Sequence, residues 1–282
     1  MKTKVTLSKG TSVLLLAVLL CALLLCACGS DPYTEYAAAY NKVSANGCID
    51  ADINAVLTLD GQTNTYNGNF KVDSKNNLLY YEMTADGNTT TQFSDGSYLY
   101  TARGNDKVKY SLSGGKPSAP AAEGGQQPEQ DSPEFNTSDF LNEFSSFLEA
   151  GKIKELGLLD PIPKAAVTKT VKNGDTYSLT VANSLVERFV NTMAVNQSSS
   201  GGDTVQVKDL KNFSYTATVK NGFVKETVYA GDVTVTVPAS LMSDGNAQEY
   251  TVNFKVTINF NNPGEMVTIS LPATDEYREV KP

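Results

Sequence analysis

Short runs of alternating apolar and polar residues, separated by turn dipeptides, constrain the fold of this chain more than any other feature. In residues 51–59 every second side chain is apolar, and Asp60-Gly61 follows at once. Alternation with a period of two predicts strands with one buried face, and Asp-Gly between two such runs predicts a hairpin. Because these connections are too short for helical crossovers, the sheet is expected to be antiparallel.

About eleven strands of this kind are expected along the chain. Residues 167–171 and 177–181 are predicted to form a hairpin around Asn173-Gly174, and residues 223–229 and 233–237 are predicted as separate strands. Residues 266–271 are expected to close the sheet. The pentapeptide Thr-Val-Lys-Asn-Gly occurs at Thr170 and again at Thr218, which indicates repeated hairpin chemistry and not a repeated domain.

Three helices and one flexible loop are predicted between the strands. Asp31-Pro32 is typical of a helix start, with Asp31 as the N-cap, and Asn46-Gly47 of a helix end. Residues 113–134 are rich in Gly and Pro and are read as a flexible loop. A second helix is capped by Thr137 or Ser138, and a third by Asn183 or Ser184. Their apolar faces contain Phe140, Leu141, Phe144, Phe147 and Leu148, and Leu185, Val186, Phe189, Val190 and Met193, respectively.

The balance between sheet and helices predicts an α+β, mostly β fold with a hollow. Eleven strands about 4.8 Å apart span roughly 50 Å, whereas three helices packed about 10 Å apart cover roughly 30 Å. We therefore expect a large curled antiparallel sheet, a half-barrel with the helices on its concave face and an apolar groove between them. The expected lining is Phe140, Phe144, Phe147, Leu148, Phe189, Met193, Phe254 and Ile258. The alternatives are two packed antiparallel sheets, and an aromatic helix that is plain core.

The first 28 residues have the order of a secretory signal. Lys2, Lys4 and Lys9 precede an apolar run that ends in Leu25-Cys26-Ala27-Cys28. A cysteine after a small residue resembles the lipobox of bacterial lipoproteins, in which that cysteine is lipidated and becomes the first mature residue. The sequence thus predicts a signal peptide over 1–27 and one domain over 28–282. Ordinary cleavage and an uncleaved membrane helix are the alternatives, although 16 apolar residues fall short of the roughly 20 that span a bilayer.

The element order and one phrase of sequence resemble a known family. The element order resembles that of the LolA/LppX-type lipoprotein carrier fold: helix, six strands, helix, hairpin, helix and further strands. One phrase among the six strands carries the same resemblance, Phe93-Ser94-Asp95-Gly96-Ser97-Tyr98-Leu99-Tyr100. The order is also similar to that of a group of Gram-positive lipoproteins of unknown function. The resemblance implies a half-barrel capped by helices, with an apolar cavity that in characterised relatives holds lipid or lipoprotein acyl chains. It supplies no catalytic motif.

Composition argues against several functions. The three lysines of the leader leave with it, so the mature chain has 20 basic against 31 acidic residues, a net charge of about −11, which disfavours nucleic acid. The chain has no histidine, which excludes Ser-His-Asp and Cys-His arrangements and histidine-bearing zinc motifs. We expect no enzyme, cofactor or metal site. Cys48 is expected to be a buried thiol, and the pairs Asp50/Asp52 and Asp275/Glu276 to be solvated.

Together these observations predict a membrane-anchored lipoprotein that faces away from the cytoplasm, on a Gram-positive cell surface. Its expected partners are the membrane, through the lipid on Cys28, and a lipid or other apolar ligand in the groove. The alternative is a non-enzymatic envelope protein-interaction module with a solid core. A third reading, a hydrolase of envelope polymers, would need acidic residues clustered in one cleft. The sequence does not predict which proteins are partners.

Overall fold

A computed structural model of the chain describes residues 31–85, 87–112, 159–185, 206–239, 242 and 245–280. The described residues form one helix, α1 (Pro32–Asn41), a short 3₁₀ helix (Lys164–Ala166) and twelve strands in a single sheet. The strands are β1 (Cys48–Leu59), β2 (Gln62–Asp73), β3 (Leu78–Ala85), β4 (Asn88–Ser94), β5 (Tyr98–Arg103), β6 (Asp106–Ser111), β7 (Val167–Asn173), β8 (Thr176–Val181), β9 (Gln206–Lys220), β10 (Phe223–Val237), β11 (Gln248–Phe260) and β12 (Arg278–Glu279).

The sheet is open and almost entirely antiparallel. Its strand order is β12-β6-β5-β4-β3-β2-β1-β11-β10-β9-β8-β7, so β12 and β7 lie at the two edges and the sheet does not close into a barrel. Only the two residues of β12 pair in parallel, beside Val108 and Lys109 of β6. The predicted fold class, a mostly β protein with one large curled antiparallel sheet, is therefore confirmed, with twelve strands in place of about eleven.

Alternation decides which side of the sheet is buried. In β1 the residues Ala51, Ile53, Ala55, Leu57 and Leu59 all point to one face and are at most 2% exposed. We call this buried side of the sheet the inner face. It continues onto the neighbouring strands, because Ala55 pairs with Tyr66 of β2 and with Val256 of β11. The polar residues between them point to the outer face. One large core cluster therefore runs along the inner face of the sheet.

Helix α1 begins and packs as its sequence predicts. The Asp31 carboxylate accepts a hydrogen bond from the backbone N–H of Tyr33, and Pro32 occupies the first turn, where its missing N–H costs nothing. Tyr36, Ala39 and Tyr40 are buried against the sheet. The contacts of α1 are mainly with β7, β8, β9 and β10, so the helix lies across one side of the inner face.

A second, smaller apolar cluster lies on the outer face. Phe93 of β4 and Tyr100 of β5 stack with ring centroids 4.6 Å apart, and Tyr277 of the C-terminal segment packs edge-on against both. Leu271 and Tyr80 complete the cluster. This packing explains why residues 78–81 are apolar on both faces: Tyr81 points to the inner core and Tyr80 to the outer cluster.

Two strand predictions were wrong. Residues 223–237 form one continuous strand that contains Gly231. Gly231 does not end the strand, since the Phe254 ring lies in the space that a side chain at this position would fill. Residues 266–271 form no strand. These residues follow β11, which already pairs with β1 on one side and β10 on the other. Because no unpaired strand edge lies next to β11, the chain continues across the outer face of the sheet. The edge strand is β12 instead.

Several predictions fall outside the described residues. They are the signal peptide 1–27, the loop 113–134, the helix that begins at Thr137 or Ser138, and most of the helix that begins at Asn183 or Ser184. At that last helix, residues 183–185 have helical backbone and Leu185 packs against the inner core.

Candidate ligand-binding face

The inner face has two parts, and the part away from α1 is purely apolar. We call it the upper rows and define it by six side chains. They are Leu57 and Leu59 of β1, Leu210 of β9, Val233 of β10, and Val252 and Phe254 of β11; all are at most 5% exposed. Direct pairing aligns them: Leu57 lies opposite Phe254, and Val233 lies opposite Val252 and Leu210. The inner positions of β1, β10 and β11 carry no charged side chain, so this surface suits an uncharged, apolar ligand.

Glycine lets one aromatic ring of the upper rows lie flat on the sheet. Gly231 is directly opposite Phe254 in the β10–β11 pair. A Cβ on Gly231 would come within 3.1 Å of the Phe254 ring and of the Leu210 side chain. The pairing of β10 with β9 also shifts register next to this glycine, as expected where a strand interior contains glycine. The absence of a side chain at Gly231 thus leaves room for the Phe254 ring.

The other part of the inner face lies under α1 and contains hydroxyl groups. Here Tyr36, Tyr40, Tyr215 and Tyr229 form an inner tyrosine cluster of edge-to-face rings. Centroid distances are 5.8 Å for Tyr36–Tyr40, 5.9 Å for Tyr36–Tyr215 and 4.9 Å for Tyr215–Tyr229. Tyr40 also packs 5.6 Å from Phe260 of β11. Such pairs add to the burial of apolar area, so the cluster fixes α1 on the sheet.

Hydrogen bonds satisfy the buried hydroxyl of Tyr36. It lies 2.9 Å from the hydroxyl of Tyr215 and accepts a hydrogen bond of 3.1 Å from the backbone N–H of Ile162. Tyr33 donates to the backbone carbonyl of the same Ile162 at 2.8 Å. Burial raises the pKa of Tyr36 to about 12, and it raises the pKa values of Tyr40, Tyr215 and Tyr229 well above the ordinary value. The cluster is therefore neutral at physiological pH and attracts no ionic ligand.

Two polar side chains are buried on the inner face outside the tyrosine cluster. Asn64 of β2 lies directly opposite Leu57 and is 6% exposed. Thr227 of β10 is fully buried, and its hydroxyl oxygen has no hydrogen-bond partner. Sequence reasoning missed both. Asn64 is two residues before Tyr66, which begins the apolar alternation of β2, and this spacing is the signal that could have identified it.

The structure places two of the predicted groove residues and separates their roles. Phe254 lies in the upper rows and is 5% exposed, and its role in a groove stays a prediction. Ile258 is on the same face but lies between the levels of Val256 and Phe260, beneath α1, where it is fully buried. Phe140, Phe144, Phe147, Leu148, Phe189 and Met193 lie outside the described residues, as does Cys28, so their roles stay predictions.

The candidate acidic pairs lie on the outer face and in the C-terminal segment. Asp50 and Asp52 share the side-chain amides of Asn69 and Asn261, with contacts of 2.8–3.2 Å. Glu276 forms an ion pair with Lys107. Among the described residues no group of three or more Cys, Asp or Glu is arranged to hold a metal ion. Cys48 is buried, as expected.

Comparison with solved structures finds several neighbours, among them two that cover most of this chain. One is the crystal structure of the Mycobacterium tuberculosis lipoprotein LppX, 11% identical, covering 86% of this chain and 100% of that chain with a TM-score of 0.30. The other is a DUF1329 family protein from Desulfovibrio piger, 11% identical, covering 85% and 93% with a TM-score of 0.29. LppX is thus among the structural neighbours of this chain.

No family model and no curated protein matches the sequence. Within the described part of the chain, no helix combines the length and the apolarity needed to cross a membrane.

Proposed function

We propose that this chain is a lipoprotein, anchored outside the cytoplasm through a lipid on Cys28, that binds an apolar ligand such as a lipid against the upper rows. The anchor is supported by the order of the first 28 residues: lysines, a short apolar run and Ala27-Cys28. Two acyl chains on one cysteine give durable attachment, because each buried methylene contributes about 0.8 kcal/mol.

One observation carries the ligand proposal: the upper rows are a broad, uncharged group of apolar side chains, at most 5% exposed, that lies to one side of α1. The tyrosine cluster satisfies its own hydroxyls and lies under α1, whereas Leu57, Val233 and Phe254 offer only apolar contacts. Apolar pockets with few polar groups are typical of small-molecule sites.

The test compares two conservative variants in the chain without its lipid, Cys28→Ser. Phe254→Leu alters the upper rows, and Ile258→Val alters the same strand beneath α1. Binding of a fluorescent fatty acid is measured by titration, and thermal unfolding verifies that each variant folds. We expect Phe254→Leu to weaken binding about fivefold, which corresponds to about 1 kcal/mol of lost apolar contact, and Ile258→Val to leave it unchanged.

The bound ligand is identified by native mass spectrometry of the same protein purified without detergent, followed by solvent extraction. A protein that carries no extractable lipid and does not bind the probe would contradict the ligand proposal and favour the solid-core interaction module. Equal loss of affinity in both variants would place the ligand elsewhere. Membrane partitioning that is the same in the Cys28→Ala variant as in the native chain would contradict the anchor.

A further inference from the structure

The proposed anchor lies very close to the folded domain. Cys28 is three residues before Asp31, the N-cap of α1. Three residues of fully extended chain reach at most about 11 Å. Wherever the first turn of α1 lies, the surface around it must therefore face the bilayer that holds the lipid.

Specific contacts fix that first turn at one edge of the sheet. Lys164, just before β7, forms an ion pair of 3.0 Å with Asp31, and its ammonium lies 4.5 Å from the centre of the Tyr33 ring. Glu35, one turn further along, accepts hydrogen bonds from Lys172 of β7 at 2.6 Å and from the Tyr177 hydroxyl of β8 at 2.7 Å. The other end of α1 packs near Phe260 of β11. The helix thus begins at the β7 edge and runs toward the middle of the sheet.

The exposed residues of the β7 edge suit a headgroup layer. Among the described strands β7 pairs only with β8, which makes it an edge strand of the sheet. Val171 is 47% exposed, one of three large apolar side chains so exposed among the described residues. Lys169 is also exposed. Lysine stems lie along apolar surface while the ammonium reaches phosphate oxygens.

The local balance of charged residues also favours the β7 edge as the membrane-facing surface. The mature chain has a net charge of about −11, which repels an anionic bilayer. At the β7 edge, however, Lys164, Lys169 and Lys172 balance Asp31, Glu35 and Asp175 of the hairpin tip. Because Lys164 is paired with Asp31 and Lys172 with Glu35, this edge is close to neutral, and the repulsion that the rest of the chain exerts on an anionic bilayer is locally removed there.

We propose that the β7 edge, with Lys164, Lys169, Val171 and Lys172, is the membrane-facing surface of the protein and contacts the headgroups of an anionic phospholipid bilayer. This orientation rests on the proposed lipid anchor at Cys28. It turns the opposite edge of the sheet, β6 and β12, away from the membrane. Ten strand spacings separate β6 from β7 in the strand order, about 48 Å measured along the sheet.

The experiment uses the full, lipidated chain reconstituted into vesicles of phosphatidylcholine and phosphatidylglycerol. A fluorophore is attached to a single introduced cysteine, at Val171→Cys on the β7 edge or at Asn105→Cys in the exposed turn between β5 and β6. Cys28 carries the lipid and Cys48 is buried, so neither reacts. Quenching by a nitroxide on the lipid headgroup reports the distance to the bilayer, and flotation of the vesicles reports attachment.

We expect both proteins to float, with strong quenching at residue 171 and almost none at residue 105. Flotation with equal quenching at the two positions, or with stronger quenching at 105, would overturn the orientation and leave the anchor intact. Failure of both to float would overturn the anchor, and the orientation with it. Quenching at 171 that survives the change from phosphatidylglycerol to pure phosphatidylcholine would contradict the part assigned to the lysines.

Discussion

The fully buried hydroxyl of Thr227 gives a sharp test of the packing beneath α1. Thr227 lies between Ala217 of β9 and Ile258 of β11 on the inner face, and its Oγ1 has neither solvent contact nor a hydrogen-bond partner. A buried polar group left unpaired costs about 1–3 kcal/mol. Valine has nearly the same shape as threonine and equal preference for strands. Thr227→Val is therefore expected to raise the free energy of unfolding by about 1–2 kcal/mol.

The assay is urea unfolding, with thermal unfolding as a second measure. For a domain of this size, 1 kcal/mol shifts the Tm by about 2–4 °C. Thr251→Val, on the exposed outer face of β11, is the control and should change stability by less than about 0.5 kcal/mol. Thr227→Ser removes only the methyl group and should destabilise the protein by about 1 kcal/mol. A Thr227→Val protein that is no more stable than the native one would show that the hydroxyl is satisfied and would refute the reasoning.

Three further predictions follow from particular contacts. Burial raises the pKa of Tyr36 to about 12, so the stability that this residue contributes is complete below pH 10. That stability is lost by about 1.4 kcal/mol per pH unit as the pH rises from 10 toward 12. The urea midpoint should therefore fall less between pH 9 and pH 11 in Tyr36→Phe than in the native protein. Gly68→Ala should destabilise the protein by about 2–3 kcal/mol, since the new Cβ would clash with the Glu82 carbonyl oxygen. An unchanged denaturation midpoint would contradict this. Tyr277→Ala should cost about 3 kcal/mol and speed amide hydrogen exchange in β6, whereas protection equal to that of the native protein would show that the C-terminal segment stays in place without the ring.

Strands with one buried face were predictable because their alternation is a local property. Residues 51–59 and 251–260 are examples, and the first helix followed from Asp31-Pro32 in the same way. Long-range competition for neighbours is different. Residues 266–271 alternate well enough for a strand, but β1 and β10 already occupy both sides of β11. No local pattern contains that information.

The repeated pentapeptide shows where local reasoning ends. At 218–222 the two turn residues are Asn221-Gly222, whereas at 170–174 Asn173 still pairs with Thr176 and the turn is Gly174-Asp175. The predicted turn at Asn173-Gly174 was therefore displaced by one residue. A shift of one residue reverses the faces: Val219 packs against the inner core, and Val171 is exposed. The residues that follow decide the outcome, since Tyr177 and Leu179 must both face inward.

The candidate site was predictable in kind and only partly in its members. Alternation placed Phe254 and Ile258 on one face, but which of them lies beneath α1 depends on where the helix docks. That position is set by Tyr215 and Tyr229, which are distant from α1 in sequence. Asn64 was missed because a single polar residue in an apolar register resembles an ordinary substitution.

The brief pairing of β12 bears on how the protein behaves when it is crowded on a surface. Within the described part of the chain, β12 pairs with Val108 and Lys109 of β6, and the Tyr277 ring packs beside it against Phe93 and Tyr100. Trimming the tail would uncover a row of backbone donors and acceptors that matches the same row on a second molecule. The C-terminal segment therefore covers part of the β6 edge, and its removal by proteolysis is expected to make edge-to-edge association of two molecules easier.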